Sequence, residues 1–100
     1  MHVHETYDYA VIRVVPRVER EEFVNVGVIL SCERARFLDA RIEVDPVRLR
    51  ALDPAIDLAL VGRHLAAIPA ICRGGEAPAP IGLLPPRARF HWLTARRSAI

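Results

Sequence analysis

The run Phe23-Val24-Asn25-Val26-Gly27-Val28-Ile29-Leu30-Ser31-Cys32 decides how this chain folds. Its even positions, Val24, Val26, Val28, Leu30 and Cys32, are all apolar, whereas Phe23, Asn25, Gly27, Ile29 and Ser31 are mixed. An apolar set that recurs at every second residue marks a strand with one buried face. Upstream, residues 7–15 are β-branched and aromatic and read as another strand. Ala10, Ile12 and Val14 share one of its faces; Tyr7, Tyr9, Val11, Arg13 and Val15 share the other. Pro16 has no amide donor and ends the pairing. Residues 17–22 then form a charged loop, in which Arg17, Glu19, Arg20, Glu21 and Glu22 make a solvated set of weak ion pairs. Matching the two apolar faces sets Ile12 opposite Val26 and Arg13 opposite Asn25, or, slipped by one pair, Arg13 opposite Gly27.

Working outward, residues 37–44 alternate again, with Leu38, Ala40, Ile42 and Val44 inward and Asp39, Arg41 and Glu43 outward. The short Glu33-Arg34-Ala35-Arg36 turn implies an antiparallel meander. Asp45-Pro46 is a helix N-cap followed by Pro at the first helical position, opening a short helix over residues 47–52. Asp53-Pro54 repeats that signal and opens a longer helix, whose Leu58, Val61, Leu65 and Ile68 recur in steps of three and four. Pro69 ends or kinks it, and Gly74-Gly75 closes the segment. Residues 76–86 hold four of the eight prolines and read as a loop. Residues 87–94 read as a final strand, with Phe90 and Trp92 on one side and Arg89, His91 and Leu93 on the other. The order βββααβ predicts an α+β fold: an antiparallel sheet with helices packed on one face, residues 45–75 covering the Val24–Cys32 strand.

One hundred residues suffice for a single domain, 1–100, with one core. At 52% apolar residues the chain is not of disordered composition. It has no run near the roughly 18 apolar residues of a membrane span. Its first residues lack the basic start and apolar stretch of a signal peptide, so a cytoplasmic location is expected. Cys32 and Cys72 form no CxxC pair, which implies neither zinc nor a redox motif; both read as buried thiols of a reducing compartment. All fourteen basic residues are Arg. Residues 1–57 carry eight Arg against eleven acids, and residues 58–100 carry six Arg against Glu76 alone. Such asymmetry marks either mutual attraction of the two halves or a face for an acidic partner.

Within the opening hairpin the residues become more distinctive than their periodicity. The string Tyr9-x3-Arg13-x2-Pro16-x3-Arg20-x-Glu22-x2-Asn25-x-Gly27, followed by Val28-Ile29-Leu30, resembles the bacterial domain-of-unknown-function family 3037. So does Phe90-His91-Trp92-Leu93-Thr94-Ala95 with Arg97-Ser98. The resemblance implies a small domain of uncharacterised biochemistry, with no catalytic assignments to carry over. It also implies a protein partner, because genes of the family often neighbour those of HipA-type serine/threonine kinases. Members usually continue past the Ser98 region with a polar segment and a further helix. The resemblance therefore implies a shortened form or a diverged end.

Three functional readings follow. The first is a protein-interaction module, binding a HipA-type kinase or itself through Tyr7, Tyr9, Arg13, Arg20, Asn25, Arg89 and His91 on the sheet face away from the helices. Exposed Val11, Val15, Phe23 and Ile29 would complete this patch, and Tyr with Arg is the composition of interaction hot spots. The bland alternative for Arg13 and Asn25 is a cross-strand polar pair on a solvated face. For Gly27 it is a bulge or a tight contact. The second reading is nucleic-acid binding by Arg87, Arg89, Arg96 and Arg97 with His91 and Trp92. The third is a small hydrolase or nuclease using His91 and a carboxylate, for which the sequence offers no phosphate loop, GxSxG, HExxH or zinc spacing. His2 and His4 lack a third ligand, and His64 reads as a boundary residue. No metal or other cofactor is implied.

Overall fold

The computed structural model describes residues 6–75 and 80–95. In chain order these form β1 (Asp8–Val14), β2 (Val24–Cys32), β3 (Phe37–Ile42), α1 (Pro46–Leu52), α2 (Leu58–Arg73) and α3 (Pro86–Thr94), with single 3-10 turns at Val18–Arg20 and Ile81–Leu83. The strands make one antiparallel sheet in the order β1-β2-β3. An antiparallel sheet followed by helices is the α+β architecture the sequence predicts. His2, His4, Arg96, Arg97 and residues 76–79 of the Pro-rich loop lie outside the described residues.

The hairpin register carries the first correction. Val14 pairs with Val24 and Arg13 with Asn25, and the register then slips so that Ile12 faces Gly27 and Val11 faces Val28. Val26 is the extra residue of a β-bulge. One extra residue reverses side-chain parity along the rest of the strand. The expected even-numbered core face of β2 therefore holds only at Val24 and Val26. Beyond them Ile29 and Ser31 turn inward and are buried. Ile29 thus belongs to the core rather than the open face. Across β3, Ile29 pairs with Ala40 and Ser31 with Leu38. This aligns the inward residues of both strands. Glycine is required at position 27, since a Cβ there would collide with the Arg41 carbonyl oxygen. Next to it the Glu43 amide donates to the Val26 carbonyl at 2.7 Å.

On the inward side the core joins Ile12, Val14, Val24, Val26 and Ile29 of the sheet to Leu49 of α1, Val61, Leu65 and Cys72 of α2, and Phe90 of α3. Asp45 caps α1 as expected, its carboxylate accepting from the Val47 and Arg48 amides, with Pro46 in the first turn. Asp53 does not start α2. Its amide closes α1 on the Leu49 carbonyl. Its carboxylate accepts from Ala55 N in an Asx turn at 3.1 Å. Asp57 caps α2 instead, accepting from Leu60 N. The helix runs through Pro69 to Gly74, which ends it at φ 75°, the left-handed region where glycine is favoured.

The second correction is the last element: residues 86–94 form a helix, not a strand. Pro86 sits in the first turn, where a missing amide donor costs nothing. Phe90 is buried and Leu93, three residues on, packs against the core. That step matches a helix as well as alternation matches a strand. Among the described residues no helix is long and apolar enough to cross a membrane.

Candidate functional site

The helices cover one face of the sheet, and the opposite face is open. Parity and register order its side chains in rows across the strands. Tyr9, Leu30 and Asp39 form one row; Val11, Val28 and Arg41 form the next. Arg13 and Asn25 follow, at the level of Glu43. Extending the register by one residue at the other end sets Tyr7 opposite Cys32, which pairs with Phe37. There the rings of Tyr7 and Phe37 meet edge-on, with centroids 6.1 Å apart. Two edge-strand aromatics thus close over β2, and Cys32 between them is 0% exposed.

Elsewhere the face is accessible. Tyr9 is 70% exposed, and Val11, Phe23 and Phe37 are exposed as well. Arg13 is exposed and lies over the Phe23 ring at 4.3 Å from the centroid. That cation–π contact contributes about 0.5–1 kcal/mol at an exposed site. The stacking also leaves the guanidinium with less rotamer freedom to lose on binding.

Of the residues singled out in the sequence, Tyr7, Tyr9, Val11, Arg13, Phe23 and Asn25 share this face. Arg20, Val15, His91 and Arg89 do not. Arg20 lies in the 3-10 turn between β1 and β2, in an exposed pair with Glu22 at 3.7 Å. Val15 borders a groove of about 340 Å³ between the end of β1 and α2, lined also by Ile56, Leu60 and His64. His91 is on α3, exposed, with its ring tilted against Phe90.

Arg89 is 8% exposed. Its Nε donates to the Leu84 carbonyl at 2.9 Å. One terminal nitrogen donates to the carbonyls of Ile71 (2.8 Å) and Cys72 (2.5 Å). The side chain therefore caps the C-terminus of α2, where orphan carbonyls and the helix dipole favour a cation. A Cβ on Gly74 would press on this guanidinium at 2.8 Å. Arg87 is also engaged: it bonds Asp8 at 2.6 Å and approaches Ser31 at 3.4 Å, tying α3 to the polar end of the inner face. Both arginines are thereby turned from phosphate contact toward internal bonds.

Residues that sequence reasoning missed on the open face are Val28, Leu30 and Phe37; it sets Asp39 and Arg41 outward, as they are, but leaves them out of the patch. The signal that could have found the first two is Gly27, a mid-strand glycine that marks a bulge and hence a parity change.

The remaining chemistry is sparse. A cleft of about 540 Å³ lies at the bulge, lined by Asn25, Glu43, Asp45 and Arg48 among others. Asp45 there is occupied by helix amides. Among the described residues no group of three or more His, Cys, Asp or Glu side chains is placed to hold a metal. Burial, and secondarily Asp39, push the Cys72 thiol up to about 11, partly offset by Arg89 and Arg73. It is a poor nucleophile at neutral pH.

A three-stranded meander with helices on one side and an aromatic, arginine-bearing face on the other defines the class of molecule. The pattern of the family described as "Protein of unknown function (DUF3037)" matches residues 9–100, and the chain belongs to that family. Comparison with curated proteins and with solved structures returned no match.

Proposed function

We propose that this chain is a protein-interaction module and that the open face of the sheet is its docking surface. The observation that carries this reading is the run of exposed Phe37, Tyr9, Val11 and Phe23 along the face, with an arginine stacked on Phe23 at one end. Taking about 200 Å² for a whole aromatic side chain, the exposed parts of Tyr7, Tyr9, Phe23 and Phe37 come to roughly 400 Å². A monomer seldom leaves a larger contiguous apolar patch open. Arg and Tyr in such a patch have the character of hot-spot residues. The family resemblance supports a HipA-type kinase as one partner to try.

The test uses the tagged full chain and a Val11→Asp variant, each mixed with a HipA-type kinase from the native host and, separately, tested for self-association. Association seen with the native chain, lost in Val11→Asp at an unchanged Tm, supports the reading. Val11→Asp chains that bind as the native chain does, or native chains that bind neither, overturn it.

A further inference from the structure

Resting on the docking reading, we infer that the occupant of the open face is a second copy of this chain, related by a two-fold axis that runs along the strands. The face is self-complementary under that one operation. A two-fold axis lying in the interface and parallel to the strands carries β1 over the partner copy's β3 and β2 over its β2, with each row kept at its own level. Arg13 then meets Glu43 of the other copy, and Tyr9 meets Asp39. Both contacts occur twice, as an isologous interface demands. Val28 and Leu30 from both copies, both on β2, fill the centre.

Charge favours this axis over one perpendicular to the strands at the Arg41 level. Turning the second copy about that axis would keep β3 over β3, with Asp39 facing Glu43 and Arg41 facing Arg41. Like charges set directly opposite are destabilising. The strand-parallel arrangement pairs opposite charges at the rim and leaves apolar side chains inside, the anatomy of stable interfaces. It is also the aligned sheet-on-sheet packing found in sandwiches. The area is adequate: the four aromatic residues supply about half of the roughly 800 Å² that each partner gives a standard interface. Val11, Val28, Leu30 and the charged rim remain to supply the other half.

The test is sedimentation equilibrium of the full chain with the variants Arg13→Glu, Glu43→Arg and the double exchange. Exposure of both residues makes Tm a direct check that each variant folds. The expected result is a native dimer, a dissociation constant raised roughly tenfold or more by either single reversal, and recovery to within roughly threefold in the double exchange, as coupled residues show. A dimer that neither reversal weakens places the contact elsewhere and overturns the inference. Single reversals that weaken association without mutual rescue overturn the axis and the inference with it. A native chain that stays monomeric at millimolar concentration also overturns it. In that case, kinase binding that Val11→Asp abolishes leaves the docking reading standing; its absence ends both.

Discussion

The two faces of the sheet are built from the same three strands and differ in almost every other respect. The covered face is aliphatic and β-branched: Ile12, Val14, Val24, Val26 and Ile29, all buried. Shape complementarity with α1, α2 and α3 is what those residues provide. The open face is aromatic and charged, with Tyr9, Phe23 and Phe37 among Arg13, Asp39 and Arg41. Left exposed, those aromatic side chains suit binding, offering large area with few torsions to order. The bulge at Val26 joins the two. It lets β2 supply Val24 and Val26 to the core at one end and Ile29 at the other, while releasing Val28 and Leu30 to the open side.

The contrast is most exposed to failure at its two arginines. Replacing Arg89 by Met leaves the carbonyls of Ile71, Cys72 and Leu84 without their donor and should cost about 3 kcal/mol, read from urea denaturation. A loss below about 1 kcal/mol would mean water takes over the cap. Adjacent residues of β1 sharpen the same contrast. Ile12→Ala should cost about 2–4 kcal/mol by opening a cavity in the core, and Val11→Ala no more than about 0.5 kcal/mol. Equal losses would erase the distinction between the faces.

Gly27→Ala should cost about 2 kcal/mol by forcing β3 away from the bulge, and amide exchange of β3 should rise with it. The thiol on the covered side gives a pH signature. Cys72 ionises more readily unfolded, near 9.0, than folded, near 11. The neutral thiol therefore contributes stability that is fully present below pH 9 and lost as pH rises through that window. Cys72→Ala should flatten the alkaline limb of Tm against pH. An unchanged limb would mean the thiol is solvated. Smallest of all, Arg13→Ala should shift stability by less than about 1 kcal/mol yet weaken association. A large drop in Tm would make this arginine a folding residue.

Much of this was legible in the sequence wherever polar residues interrupt apolar ones at a fixed period. β1 and β3 alternate cleanly, and Asp45-Pro46 names the start of α1. The bulge was hidden because Val26-Gly27-Val28-Ile29-Leu30 is apolar on both parities, so either face satisfies the pattern. Asp53-Pro54 and Asp57 offer two caps four residues apart, and side chain-to-backbone bonding suits both a turn and a helix start. In residues 87–94, Phe90, Trp92 and Leu93 fit a strand or a helix, and the deciding signal was the proline pair before them. As to the site, Tyr7, Tyr9, Arg13 and Asn25 were readable because β1 is regular up to the bulge. Arg89 was not: a buried cation held by carbonyls alone leaves no acidic partner in the sequence to betray it.

The decisive comparison is between the native chain and Val11→Asp, followed side by side in a concentration series of solution mass and a thermal melt. A carboxylate placed amid the exposed aromatics should abolish association and move the melt by less than about 4 °C, as suits a surface change under about 0.5 kcal/mol. Undiminished association, or a melt lowered as far as Ile12→Ala lowers it, would contradict an open, binding face.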